Sequence, residues 1–526
     1  MRRLHAITEE NQRWWTLGAM SFALFMIMLD NTVVNVALPS IQSDLDASLS
    51  ALEWTVNAYT LSFAVLLVTG GRLGDIFGRR RAFLAGVVIF ALSSATAGFA
   101  PNDLSLVISR AVQGIGAALM MPATLSIITN AFPPHERGKA IGTWAGVSAL
   151  ALAFGPVVGG FLTEQVSWRA IFFLNLPVAA LAVVVTLAAA RESRDPTVPR
   201  TVDLIGVTTL TVGIGALVLA LVEGNGWGWG SPRIVALLGL AVAGLVAFNV
   251  TEQRVRFPMV EYSFFRSRQF LGANGIAFVV SFAMLAMFFF MALYMQNILG
   301  YSPLEAGVRF LPSTVVIIIA APLAGRLTDR IGARIPIAVG LSLVAVALYL
   351  QSRITVDTDY GYLLPTFSLM GLGIGLTMSP MSTAAMNAVH ETKAGVASGI
   401  LSMSRMVGGT FGVAALGALF QHLSDRRLED RLGDLPLSSQ QQAWFADNLG
   451  SGDVSARLAQ LDPATGREVG RIVKETFVTS LSASLKLSTA VTVVGIVIAL
   501  ATLRSGRAIA PVPVTAPAAA VAQRPD

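Results

Sequence analysis

Asp30 stands in the stretch Leu29-Asp30-Asn31-Thr32-Val33-Val34-Asn35-Val36-Ala37-Leu38-Pro39, inside an apolar run that begins at Trp14. An ionisable group at membrane depth is costly, and such groups are kept with a partner and a task. The chemistry open to a lone carboxyl group there is to take up and release a proton. Burial favours its neutral form, and a nearby guanidinium favours the carboxylate. A rearrangement that changes either influence by about 1.4 kcal/mol changes proton occupancy about tenfold. Arg110 is the candidate partner. Asp30 lies about 24 Å along a helix entering from one side of the bilayer, and Arg110 about 10 Å along one entering from the other. In a core of roughly 30 Å both fall at similar depth. Asp30 then reads as a proton carrier and Arg110 as its tuner; the alternative is a fixed salt bridge between helices.

The elements that position this pair follow from composition. Of 526 residues, 54% are hydrophobic and only 13% charged, with a mean hydropathy of +0.66. Soluble domains carry about a quarter charged residues, so this is the composition of an all-α polytopic membrane protein. The chain has no cysteine, which excludes disulfides, thiol nucleophiles and thiolate metal sites. His5, His135, His390 and His422 show no metal-ligand spacing. No Walker-type loop, HExxH pair or triad with a placed histidine is present, so ATP chemistry and hydrolysis are not expected.

Apolar runs long enough to span recur at 14–38, 49–70, 82–100, 103–130, 139–162, 172–190, 203–223, 231–250, 269–299, 304–325, 335–351, 360–386, 395–420 and 479–503. The first run lacks the short apolar core and small-residue cleavage site of a signal peptide and is expected to be retained. With the N-terminus inside, the inward segments hold 23 basic residues, whereas the short outward loops and adjoining helix ends hold Arg169, Arg233, Arg309 and Arg353. Both termini are therefore expected to be cytoplasmic. The same asymmetry accounts for much of the pI of 9.9 without nucleic-acid binding. The long outward segment 421–478 is expected to form short amphipathic helices over the outer mouth, and the Ala/Pro/Val-rich tail 508–526 to be disordered.

Gly71-Arg72-Leu73-Gly74-Asp75-Ile76-Phe77-Gly78-Arg79-Arg80 follows span 2, and Gly325-Arg326-Leu327-Thr328-Asp329-Arg330-Ile331-Gly332-Ala333-Arg334 follows span 10. Six of the ten positions are identical. The copies are eight spans apart, so the chain reads as two parallel six-helix halves, 1–190 and 269–507, with an inserted pair of helices in 191–268. Parallel repeats facing a midplane site are a secondary-transporter architecture.

These motifs, with Arg110-Ala111-Val112-Gln113-Gly114, Gly155-Pro156-Val157-Val158-Gly159-Gly160 and Trp168–Pro177, resemble those of the major facilitator superfamily, specifically its fourteen-helix drug:proton antiporters. The likeness runs over nearly the whole chain. The family often has Trp where Ala170 stands, and members that export divalent organic cations place an acid in helix 10, which here has only Glu305 at its outer end. The resemblance implies a major facilitator fold and adjacency of helices 1 and 4. It also implies that Gly155 and Pro156 seal the antiporter against proton leak and mark export. A plain packing kink is the competing reading of that motif.

Asp75, Arg79 and Arg80, in a loop whose Gly71 and Gly78 permit close approach, read as a charge network that locks the inward mouth, with Asp329 and Arg330 as the weaker counterpart. Topological anchoring is the bland alternative for these arginines. Asn35, Asn57, Tyr59, Gln113 and Asn274 are polar positions in spans that could line a substrate cavity, although such residues more often hydrogen-bond between helices; Arg405, deep in its span, could line the cavity or pair internally. The Phe/Met-rich stretch Phe282–Met291 suits either promiscuous ligands or lipid. The expected function is export of hydrophobic or amphipathic small molecules, such as drugs and antibiotics, from a bacterial cell. Export is coupled to proton entry and needs no cofactor beyond the gradient; a monomer in the cytoplasmic membrane suffices. The alternatives are a transporter dedicated to one metabolite, in either direction, and a sensor or scaffold that moves nothing.

Overall fold

The structure, a computed structural model, describes residues 7–197, 201–255, 258–433, 435–447 and 457–504. It is helical throughout, with no strand among the described residues. In chain order the α-helices are α1 (Gln12–Leu45), α2 (Leu49–Phe77), α3 (Arg79–Gly98), α4 (Asp103–Ala131), α5 (Arg137–Gln165), α6 (Ala170–Phe173) and α7 (Asn175–Ala189). Then come α8 (Leu204–Trp227), α9 (Pro232–Glu252), α10 (Tyr262–Arg266), α11 (Arg268–Asn297), α12 (Pro303–Arg309), α13 (Leu311–Ile331) and α14 (Arg334–Gln351). The last are α15 (Tyr360–Asn387), α16 (Ala394–Leu432), α17 (Ser439–Asp447) and α18 (Pro463–Thr502). Thirteen described segments are long and apolar enough to cross a membrane. With α5, a continuous 29-residue helix over the expected span 139–162, each of the fourteen expected spans coincides with a helix.

Short polar residues start these helices by accepting the first free N–H groups. Ser48 does so for α2, Asn102 with Ser105 for α4, Asp203 for α8, Ser231 for α9, Ser302 with Glu305 for α12, and Asp359 for α15. Within hydrocarbon, helices satisfy their backbone groups internally, which leaves side-chain packing to fix the arrangement.

Eight helices form a ring whose neighbours are α2, α4, α1, α5, α13, α15, α11 and α16, closing back on α2. The first four belong to one half and the second four to the other, and the pairings α2·α4 and α1·α5 are repeated as α13·α15 and α11·α16. Glycine makes several of these crossings possible. A Cβ on Gly408 or Gly412 would collide with the backbone of Phe278 or Phe282 on α11. α3, α7, α14 and α18 back the ring from outside. In the inserted pair, α8 packs against α2 and α16, and so touches both halves, while α9 packs on α8.

Two expectations are corrected. The segment 421–478 is not a loop capped by short helices alone. α16 runs on to Leu432 and α18 begins at Pro463, so both helices, 39 and 40 residues long, reach roughly 60 Å, about twice the hydrocarbon thickness. Hydropathy marked only their lipid-soluble parts. The extensions are amphipathic: Leu428, Leu432, Phe477 and Ile472 are buried, while Arg431 pairs with Glu475 at 2.7 Å on the outer face. The Phe/Met stretch of α11 faces neither lipid nor a ligand for most of its length. Phe282, Met287, Phe290 and Met291 are buried in the second half, and of the stretch's aromatic residues Phe289 is the exposed one, at 48%. The tail 508–526 lies outside the described residues.

Candidate functional site

Asp30 and Arg110 meet. Arg110 Nη1 donates to Asp30 Oδ2 at 2.5 Å, and both side chains are inaccessible. Three helices besides α1 and α4 complete the site. Gln113 Nε2, one turn along α4 from Arg110, and Asn175 Nδ2, at the start of α7, each donate to Asp30 Oδ1 at 2.8 Å. Both amides also reach Ser94 Oγ of α3. Arg110 donates further to Gln113 Oε1 and, through Nε, to the carbonyl of Thr55 on α2. The Tyr59 ring lies 4.3 Å from the guanidinium carbon. A buried ion pair is tolerated only when its remaining donors and lone pairs are satisfied, and this one is satisfied almost wholly by side chains. Gln113 and Tyr59, expected to line a cavity, belong to this cluster and are fully buried. The reason is helical periodicity: Gln113 shares a face with Arg110. The Tyr59 hydroxyl makes no hydrogen bond among the described residues.

The two copies of the repeat meet opposite halves. Asp75 on α2 accepts from Gly395 N at 3.0 Å and Val396 N at 2.8 Å, the first turn of α16. Asp329 on α13 accepts from Gly138 N at 2.9 Å and Lys139 N at 3.0 Å, the first turn of α5. A carboxylate at a helix N-terminus meets free N–H groups and the positive end of the helix dipole. Each contact sits beside a glycine crossing. A Cβ on Gly71 would strike the Gly395 carbonyl, and one on Gly325 the Gly138 carbonyl. Arg79 binds Asp75 through Nε and Nη2, and carries Nη2 on to the carbonyls of Glu391 and Thr392. Arg80 reaches the Ala190 carbonyl within its own half, and Gly78, at φ +112°, turns the chain against Glu192. Arg330 stands apart from the network. It is exposed with no hydrogen bond among the described residues, because its counterpart in the first copy is Ile76, whereas Arg79 aligns with Ala333.

Among the described residues, hydrogen bonds between the halves lie at this motif-bearing end. They include Arg137, buried on α5, which pairs with Glu391 and donates to Asn387 Oδ1, and Ser398 Oγ, which donates to the Pro122 carbonyl. The ring is therefore closed at the motif end.

Of the other candidates, Gly155 and Gly159 are buried against Thr32 and Val33 of α1, so α1 and α5 cross tightly just beyond Asp30. The side chain of Pro156 lies outside the described residues. Asn35 is exposed and bonds back to the Asn31 carbonyl. Asn57 is half-buried with no hydrogen-bond partner among the described residues. Asn274 ties α11 to α16 by accepting from Ser404. Arg405, the next residue, is half-exposed.

Sequence reasoning missed Asn175, Ser94, Arg137 and Glu391. Asn175 sits in a quoted motif, and an amide inside an apolar run was a usable signal. Nothing local distinguishes Ser94 from other small residues of α3.

The chain belongs to the major facilitator superfamily: a family model described as Major Facilitator Superfamily matches residues 20–413. It is 34% identical over 500 residues to the tetracenomycin C resistance and export protein of Streptomyces glaucescens, covering 94% of this chain and 92% of that one. It is 35% identical over 480 residues to the multidrug resistance protein Stp of Mycobacterium tuberculosis, covering 90% and 89%. The proton:xylose symporter XylE shares the fold, with a TM-score of 0.59 at 14% identity over 96% of this chain and 98% of that structure. The protein is thus a multi-pass membrane transporter whose relatives confer drug and antibiotic resistance.

Proposed function

We propose that the protein exports amphipathic small molecules, drugs and antibiotics among them, across the cytoplasmic membrane of a bacterium in exchange for protons. The observation that supports this reading most is the sealed Asp30–Arg110 cluster. Asp30 gathers donors from α4 and α7 and so ties α1 to both. Protonating it removes the charge that holds Arg110, Gln113 and Asn175, and frees those helices to repack. In the closed-motif state the ring is bonded at the end that carries the basic loops, taken as cytoplasmic under the positive-inside rule. Breaking the Asp75 and Asp329 caps opens that end. Substrate enters from the inside, and proton uptake at Asp30 from the outside resets the cycle. Each elementary charge moved contributes about 2.3 kcal/mol per 100 mV, so no further energy source or cofactor is required, and one chain suffices.

The test is accumulation in everted membrane vesicles. Vesicles bearing the wild type should concentrate several chemically unlike dyes when acidified inside, and Asp30→Asn should not, although it inserts normally. Accumulation by Asp30→Asn equal to wild type would remove Asp30 from the mechanism.

A further inference from the structure

The inference concerns Arg405 and rests on the transport reading only for its flux measurement. Arg405 lies about 16 Å along α16 from its start, near the middle of a core of roughly 30 Å. Its side chain is half-exposed and keeps contact with open space. It makes no hydrogen bond, ion pair or ring contact among the described residues. Of the other charges at that depth, Asp30 and Arg110 neutralise each other, and Lys486 is exposed on α18, which backs the ring from outside. Glu53 and Glu223 lie near the opposite ends of α2 and α8, away from the motif end. Within the ring, Arg405 is therefore the mid-depth positive charge left over among the described residues.

Its direction follows from helical spacing. Ser398, Arg405 and Gly412 are two turns apart and share one face of α16. Ser398 reaches Pro122 of α4, in the other half, while Gly412 abuts Phe282 of α11. Arg405 stands between these two contacts, on the face of α16 that meets α4 toward the closed end and α11 beyond it. The α4 face that carries Pro122 continues two turns away with Ile115, which is partly exposed. The α11 side contributes Phe278, half-buried and stacked on Phe282. This stretch of α16 thus sets one guanidinium, without a carboxylate to satisfy it, beside the apolar side chains of α4 and α11. A guanidinium presents a fork of donors that matches a carboxylate or sulfonate.

We infer that Arg405 is an anion-recognition point in the substrate path, and that the protein binds and carries aromatic organic acids in preference to cations of the same skeleton. Specificity of this kind comes as much from rejecting the cation as from attracting the anion.

Two xanthene dyes of opposite charge, fluorescein and rhodamine 123, supply the test, by anisotropy on the purified full-length protein and by uptake into everted vesicles. Wild type should bind fluorescein. Arg405→Gln should lower the ratio of fluorescein to rhodamine 123 transport by about tenfold or more, the worth of a charge-assisted hydrogen bond, and Arg405→Lys should restore part of it. An unchanged ratio in Arg405→Gln, or equal loss of both dyes, overturns the inference while leaving the transport reading intact. Binding of fluorescein by wild type without flux of either dye supports the anion site and overturns the transport reading instead. Competition on wild type alone covers a variant that fails to fold. Naphthalene-1-sulfonate should displace bound fluorescein and 1-naphthylmethylammonium should not; displacement by both equally, or no binding of fluorescein at all, counts against the inference.

Discussion

Asp75 and Asp329 hold equivalent places in two copies of one motif, and each accepts two backbone N–H groups from the first turn of a helix in the opposite half. The copies are unequal. Asp75 is fully buried and also holds Arg79, whereas Asp329 is only half-buried and has no arginine of its own half upon it.

Replacing these acids should therefore open the motif end unequally. Asp75→Asn leaves the buried Arg79 without its charge partner, a loss of the order of 3 kcal/mol or roughly a hundredfold in the closed-to-open ratio. Asp329→Asn should cost about 1 kcal/mol. Because the chain has no cysteine, Ser402→Cys gives a clean reporter. Its maleimide labelling should accelerate strongly in the Asp75→Asn background and weakly in the Asp329→Asn background; equal rates would refute the asymmetry.

The glycine crossings make a separate prediction. In Gly71→Ala or Gly325→Ala the new methyl meets a backbone carbonyl that cannot move aside. The closed state should lose about 1–3 kcal/mol in each case. Gly239 on α9 has open space around it, and Gly239→Ala should instead gain up to about 1 kcal/mol from helix propensity. Melting temperatures in detergent distinguish the two groups.

Tyr59 contributes its ring rather than its hydroxyl. Tyr59→Phe should melt and transport like wild type, because the hydroxyl has no hydrogen-bond partner among the described residues. Tyr59→Leu removes the face against Arg110, worth about 2 kcal/mol when desolvated, and should lower both. Loss of transport in Tyr59→Phe would show that the hydroxyl has a role in another state.

The helical extensions beyond the membrane should depend on packing, not charge. Phe477→Ala deletes a fully buried ring at a cost of about 3–5 kcal/mol, while Arg431→Ala breaks a largely exposed pair worth about 1 kcal/mol at most. Comparing their melting temperatures reads the difference.

Much of this was legible in the chain. Fourteen apolar runs and the Gly71/Gly325 repeat define the halves, because a bilayer forces apolar length and backbone satisfaction on every span. Asp30 and Arg110 stood out for the same reason, being charges where charge is costly. What could not be read was direction around a helix. Gln113 faces Asp30 and not open space, Arg330 points out while Asp329 points across, and the N-termini of α5 and α16 serve as the partners of Asp329 and Asp75. Those partners are backbone N–H groups, present at every residue, so no side-chain pattern announces them. Likewise the extensions of α16 and α18 are amphipathic, and a search for lipid-soluble runs ends where amphipathic helix begins.

The central claim is that a proton at Asp30 couples the gradient to substrate. Asp30→Asn, reconstituted in liposomes and supplied with a transported dye, separates coupling from movement. The account predicts that an imposed pH gradient drives no accumulation while dye-for-dye exchange continues. Gradient-driven accumulation at the wild-type level would contradict it.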